Sequence, residues 1–300
     1  MSTTPFGKHA TRFGWFYVAP AILFFCLFML FPILYNGFNS FQSPSGIRGL
    51  GLENYQTMFN DPTFFTALKN SAIWVVMTTF VEMVIGFFSA LLIEAYIVRG
   101  RALFRTLLFL PMVVSPSVIA IVFTNLYAPS YGLLFGVFQQ LGLAGSFPAL
   151  LGDPRWATIA VILVNIWQWS GFFVLLYAVG FAQIDPHLID AAEVDGARGW
   201  ARIRYIFFPL VRSTHFSLMI LGVIQALQQF PLIYLMTQGG PAESTQVLAT
   251  YIFTQGYVDN NMPYASALSV ILLLLAFAIV GIQLLTVRGD FSIGRSNTHA

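Results

Sequence analysis

Long apolar blocks alternate with short polar stretches through this chain. A hydrocarbon core takes about 20 residues of helix. Six blocks reach that length, at residues 15–35, 71–97, 104–127, 156–181, 216–235 and 265–285. A backbone facing lipid must satisfy its own hydrogen bonds, so each block is predicted to be a helix. A seventh block, 131–151, is interrupted by Gly132, Gly136, Gln139, Gln140, Gly142, Gly145 and Pro148. It reads as interfacial or re-entrant structure on the outer side. The predicted fold class is an all-α integral membrane protein with six transmembrane helices and no soluble domain.

Composition supports a lipid solvent. Of the 300 residues, 57% are hydrophobic and 9% are charged, against about 25% charged in soluble domains. Charge also sets the predicted orientation. With the N-terminus inside, only Arg48, Lys69 and Arg155 of the 14 basic residues fall outside. Lys8, Arg12, Arg99, Arg101, Arg105, Arg198, Arg202, Arg204, Arg212, Arg288 and Arg295 fall inside, as the positive-inside rule asks. Both termini are then cytoplasmic. A seventh span at 131–151 would invert the four arginines of 198–212 and destroy this asymmetry. The first block is long for a signal core and lacks a small-residue cleavage site after it, so it is predicted to be retained. The single Cys26 excludes an internal disulfide, and no basic cluster with interleaved aromatics points to nucleic acid.

The chain divides into residues 1–70 (tail, first span and an outer cap), 71–288 (the core of spans two to six) and 289–300 (a polar tail predicted to be disordered). The cap at 36–70 contains Pro44, Gly46, Gly49 and Gly51, with helical patterns around Tyr55–Phe59 and near 64–68. Within the spans a few polar residues stand out. Glu82 lies in span two, where an acid is costly and must face the bundle or a wet cavity. It either lines a route or ties helices together. Glu94, near the end of that span, is expected to pair with Arg99 or Arg101. Pro111 and Pro116 kink span three. Span four carries Asn165, Trp167, Gln168, Trp169 and Ser170, groups that suit a sugar and serve equally as interhelix glue. Span five carries Gln225, Gln228 and Gln229, with Gln225 and Gln229 placed on one helix face. Phe230-Pro231 then kinks the chain, and Gly239-Gly240-Pro241 opens an outer loop.

The one long segment dense in charge is 185–213, between spans four and five. Asp185-Pro186 is a helix start: Asp caps orphan N–H groups and Pro suits the first helical position. Asp195-Gly196 interrupts the helix, and Gly permits the turn. A second helical pattern follows with Arg198, Arg202 and Arg204, and Pro209 marks its end or a kink. From residues alone this is either a docking surface or an ordinary connecting loop. Asp190 and Asp195 are expected to fix it by caps or ion pairs.

Asp190-Ala191-Ala192, Asp195-Gly196-Ala197 and Phe208-Pro209-Leu210 together resemble the EAA signature of permease subunits in binding-protein-dependent ABC importers. Asp190 stands where the family has Glu, and Ser213 where it often has Pro. Gly51-Leu52-Glu53-Asn54-Tyr55, Leu235-Met236-Thr237-Gln238-Gly239-Gly240-Pro241 and Tyr264-Ala265-Ser266-Ala267-Leu268 look like the carbohydrate branch of that family. The resemblance implies a type I ABC importer permease fold in the bacterial inner membrane. It implies a second homologous permease, two ATP-binding subunits and an extracytoplasmic binding protein as partners. It assigns ATPase coupling to Asp190, Ala191, Ala192, Asp195, Gly196, Ala197, Arg198, Arg202 and Pro209. Asn165, Trp167, Gln168, Gln225, Gln228, Gln229 and Glu82 are the candidates for the substrate path.

Other chemistry has no motif to carry it. There is no phosphate loop of the G-x-x-x-x-G-K-[ST] type, so ATP is expected on partner subunits and no cofactor on this chain. His9, His187, His215 and His299 lack metal-ligand spacing, and no nucleophile–base arrangement appears, so no catalytic residue is assigned. The expected activity is transport of a sugar or polyol. Glycerol phosphate or another polar solute, a stand-alone carrier or channel, and a membrane scaffold are the alternatives.

Overall fold

The computed structural model describes residues 9–43, 49–96 and 100–293. Pro44, Gly46, Arg48, the predicted end of span two at residue 97, Arg99 and the last residues of the tail lie outside them. The described residues are helical apart from loops and one isolated antiparallel bridge, Gln42 with Leu50. They fall into two compact units, residues 1–60 with 252–271, and residues 61–251 with 272–300.

In the first unit, helix α1 (Tyr17–Asn39) is long and apolar enough to cross a bilayer. Its apolar side chains are exposed around its girth, Tyr17 and Phe28 among them, which is how a helix in lipid reads. The predicted cap follows and is knitted by short-range polar contacts. Buried Asn54, on helix α2 (Glu53–Phe59), donates to the carbonyls of Ser40 (2.9 Å) and Gln42 (2.8 Å). The Ser43 hydroxyl donates to Glu53 at 2.9 Å. Gln42 and Leu50, where the bridge forms, bring the two ends of the cap loop together.

The second unit begins with α3 (Pro62–Leu91), capped by the Asp61 carboxylate on the Thr63 N–H. This helix starts at Pro62, well before the predicted start of span two, because Asp-Pro supplies both cap and first residue. A wide π-turn, Leu92–Tyr96, follows. Then come α4 (Arg101–Val113), α5 (Pro116–Leu126) and the short α6 (Leu133–Gln140). At eight residues α6 is about 12 Å long, too short to span, in keeping with its predicted interfacial character. Helix α7 (Pro154–Ala182) is capped by Asp153, whose carboxyl is held below its usual range first by the hydrogen bond from the Arg155 side chain. After it lie α8 (Pro186–Val194), α9 (Trp200–Leu210), α10 (Arg212–Leu227), α11 (Pro231–Thr237) and α12 (Leu248–Phe253). Helix α13 (Met262–Ile293), whose residues 262–271 belong to the first unit, runs into the predicted tail, the first residues of which are helical.

Among the described residues four helices are long and apolar enough to cross a membrane, and up to six if each of two bent pairs is one span. The bent pairs correct the straight-span picture. α4 and α5 meet at 92°. Pro116 donates no N–H, and Ser115 before it lies at an extended ψ of 134°, as a residue before proline does; Val114 is extended as well, at ψ 136°. The predicted span five ends at Leu227, and Pro231 starts a separate helix after a break at 228–230. Among the described residues Glu94 is hydrogen-bonded by Arg105 (Nε at 3.0 Å), one turn beyond the expected Arg101, while Arg99, the other expected partner, lies outside them. Glu94 itself lies in the π-turn, and Gly100 is left-handed (φ +83°).

Two apolar clusters hold the unit. One gathers Trp74, Ile119, Val161 and Leu232, the other Phe87, Phe173, Tyr177 and Leu218. Helix crossings between them are made by glycine. A Cβ on Gly171 of α7 would stand 2.0 Å from the Leu108 carbonyl oxygen of α4, and one on Gly86 of α3 would stand 2.6 Å from Phe173 Cβ. Small residues let backbones meet in this way where lipid gives no hydrophobic drive. The loop after α11 is tied to the ends of α3 and α7. Asn70 donates to the Glu243 and Gln246 carbonyls (3.0 and 2.9 Å), and Thr158 to that of Ser244 (2.6 Å).

Gly171→Ala is expected to destabilise the protein by about 1–3 kcal/mol, the usual cost of overpacking. The control, Gly136→Ala, meets nothing within 4 Å and should leave the melting temperature in detergent unchanged.

Candidate functional site: an exposed elbow and a buried amide chain

Two groups of sequence-predicted residues have to be placed, those of 185–213 and the polar residues of the spans. In the first, Asp185 accepts from the His187 N–H at 2.9 Å, capping α8 with Pro186 in the first turn. The helix ends in a Schellman motif. Gly196 lies at φ +80°, its N–H bonds the Glu193 carbonyl (3.1 Å), and the Ala197 N–H bonds that of Ala192 (2.9 Å). This is the left-handed closure that glycine makes without strain. A Cβ at Gly196 would meet nothing within 4 Å, so handedness alone, and not space, demands glycine there.

No residue of α8 is buried. Leu188, Val194 and Trp200 present apolar surface beside Asp190, Asp195 and Arg198. The expected caps and ion pairs of Asp190 and Asp195 do not form among the described residues. Asp185 is the cap instead, and Glu193 approaches Arg202 at 3.9 Å. Arg202 lies over the Phe207 ring, 5.4 Å from its centre. Pro209 sits within α9, and the chain bends by 69° just after it, at Val211.

That bend is fastened by a residue the sequence did not single out. His215 Nε2 lies 3.1 Å from the Phe208 carbonyl oxygen, which can only accept, so this nitrogen carries the proton. Nδ1 then accepts from the Tyr177 hydroxyl at 2.7 Å. The ring also packs on Phe87 and Phe208. One imidazole thus joins α3, α7, α9 and α10. No local pattern signals it, because Tyr177 is 38 residues away.

In the spans, the structure brings three of the predicted path residues together. Asn165 of α7 donates to Glu82 of α3 at 2.9 Å, and Gln229 donates to the Asn165 carbonyl oxygen. All three are buried, and the second Glu82 oxygen has no hydrogen-bond partner among the described residues. Gln229 reaches this chain from the break after α10, not from a helix face shared with Gln225. Gln168 is turned elsewhere: it donates at 3.2 Å to the Val114 carbonyl left free where α4 ends. Trp167 is 47% exposed and packs on Phe123, and Gln228 is exposed. Gln225 is half-buried, with neither amide atom hydrogen-bonded. No group of three or more His, Cys, Asp or Glu arranged to hold a metal occurs among the described residues.

The family model for the inner membrane component of binding-protein-dependent transport systems matches residues 82–289. The lactose transport system permease protein LacF of Rhizobium radiobacter is 30% identical over 280 residues, covering 92% of this chain and 94% of its own. The sn-glycerol-3-phosphate transport system permease protein UgpA of Agrobacterium fabrum is 29% identical over 271 residues, with 89% and 91% covered. A chain in the crystal structure of a bacterial alginate ABC transporter, bound to a periplasmic protein carrying an alginate pentasaccharide, matches with a TM-score of 0.82. The identity is 25%, and 92% of this chain and 94% of that one are covered. The matched region takes in the amide chain, the elbow and both bent pairs, and this multi-pass membrane protein belongs to the family of binding-protein-dependent transport system inner membrane components.

Proposed function

We propose that the chain is one of two homologous permease subunits in an ATP-driven importer of a neutral sugar or polyol. On this reading the elbow and both termini are cytoplasmic. Two ATP-binding subunits dock on α8 and hold the nucleotide, and an extracytoplasmic binding protein delivers the solute. The observation that carries it is the elbow. An exposed helix, closed by Gly196 and continued by α9, is fastened through His215 to α3 and α7. Displacement of α8 by its ATPase then moves the helices that bear Glu82 and Asn165. Interlocked parts of this kind shift between discrete packings and do not deform smoothly.

A neutral cargo is favoured by the buried polar residues, which include amides, hydroxyls and Glu82 but no Lys or Arg among the described residues. An anion would call for a buried cation. Gln225, whose amide has no hydrogen-bond partner among the described residues, is the foremost candidate for touching solute, and Asn165, Gln229 and Glu82 form the wall behind it.

Copurification from native membranes, followed by uptake assays with labelled sugars, tests the assignment. An ATP-hydrolysing companion and ATP-dependent uptake are expected; uptake by this chain alone would point to a stand-alone carrier. For coupling, a left-handed residue other than glycine costs about 1–2 kcal/mol, and Asn bears it far better than a β-branched residue. Gly196→Val should therefore lower uptake about tenfold or more, and Gly196→Asn far less. Equal loss in both would remove handedness as the reason for glycine. For the route, Gln225→Leu breaks no hydrogen bond, so melting should be unchanged while the uptake KM rises. Asn165→Leu leaves Glu82 and Gln229 unsatisfied, and a stability loss of about 1–3 kcal/mol is expected, read from thermal melting in detergent.

A further inference from the structure

Two apolar blocks of this chain are interrupted, and neighbouring amides of α7 hold both interruptions. Gln168 donates to the Val114 carbonyl where α4 gives way to α5, and Asn165 accepts from Gln229 in the break between α10 and α11. Residues spaced like 165 and 168 are neighbours on a helix surface. The second arms pack on each other, with Ile119 and Ala120 of α5 in one cluster with Leu232, Ile233 and Met236 of α11. Gln229 therefore stands between two attachments. Its side chain belongs to the chain that ends on Glu82, and its backbone runs directly into α11 at Pro231. Any displacement of α11 pulls on the bond to Asn165. If that bond parts, the Asn165 carbonyl oxygen is buried without a donor, at a cost of about 1–3 kcal/mol. A substitute is at hand. Gln225 lies one turn before Gln229, near the end of α10, and both of its amide atoms are buried with no hydrogen-bond partner among the described residues. This part of α10 is held close to α3 and α7: a Cβ on Gly222 would stand 2.8 Å from Thr79 Cγ2 and 3.1 Å from Phe173 Cζ.

We propose that Gln225 is the alternate partner of Asn165. When α11 carries Gln229 away, the Gln225 amide donates to the Asn165 carbonyl oxygen in its place. The chain that ends on Glu82 then stays satisfied in both arrangements, as a buried polar network must be if it is not to become a liability. An idle amide with both atoms buried is costly in an apolar bundle, and a second arrangement that uses it gives it a reason to be there. The inference rests on the reading of this chain as a permease that alternates between two packings, and it adds a second role to Gln225. One amide cannot donate fully to solute and to Asn165 at once. Movement of α11 would therefore also withdraw a contact from the solute, which ties its release to the displacement of the helix.

The test uses the chain copurified with its ATP-hydrolysing companion, whose presence is itself the check on the permease reading. The first measurement is ATP hydrolysis with no solute present, where a contact to solute has no influence. Gln225→Leu should lower it about fivefold, the worth of one net hydrogen bond, because the second arrangement then leaves Asn165 unpaired. Melting of the nucleotide-free form should be unchanged. The second measurement follows the exchange directly. In a Cys26→Ser background, Asn165→Cys is combined with Gln229→Cys or with Gln225→Cys. A short bifunctional thiol reagent is applied without nucleotide and again after trapping with ATP and vanadate. One pair should dominate in each form, 165 with 229 without nucleotide and 165 with 225 in the trapped form. Capture of 165 with 229 in both forms and of 165 with 225 in neither overturns the exchange while leaving the permease reading intact. So does undiminished solute-free hydrolysis in Gln225→Leu.

Discussion

Lipid offers a backbone no hydrogen-bond partner, and every departure from straight helix in this protein has to be satisfied from within. The sharpest departure, between α4 and α5, frees the Val114 carbonyl, and a glutamine from α7 comes to meet it. The end of α9 leaves the Phe208 carbonyl open, and His215 donates to it. The loop after α11 is held by Asn70, Thr158 and the Ser71 hydroxyl, which accepts from the Leu248 N–H at 2.9 Å. Side chains that look like decorations on apolar helices are the terms on which those helices can break.

The same requirement sorts the amides. Gln168 is occupied with the backbone, and Asn165 and Gln229 with each other and with Glu82. Asn165 and Gln229 stand among residues of the apolar cluster around Trp74, Val164, Ile166, Ala226 and Leu232 being their neighbours in the chain. A buried polar chain of this sort rigidifies a bundle when its members are paired and is costly where they are not. Gln225 is half-buried with an amide that pairs with nothing among the described residues, which distinguishes it from Asn165, Gln168 and Gln229 more clearly than its position in the sequence does.

Much of this was legible from residues alone, because hydropathy and turn chemistry act locally. Four apolar blocks correspond to single long helices and the block at 104–127 to a bent pair, while the block at 216–235 is divided between the second arm of the other bent pair and the helix that starts at Pro231; the Asp-Pro starts and the Gly196 closure follow from neighbours in sequence. What was not legible depends on distant partners or on accumulated rotation. Pro116 announced a kink but not a bend of 92°. Glu94, in a π-turn, is hydrogen-bonded by Arg105, a turn beyond the expected Arg101. Ending α10 at Leu227 took Gln229 off the helix face that spacing had assigned to it and aimed it at Asn165. His215 was one of four scattered histidines until Tyr177 was placed beside it.

The crossing of α4 over Gly171 has a mechanical corollary. Most helix pairs interlock through side chains, like cogs, and turning one against the other requires the teeth to disengage. At Gly171 the two main chains touch with nothing between them. Such a junction has no teeth. It behaves as a fulcrum, about which the helices can tilt while the point of contact stays put.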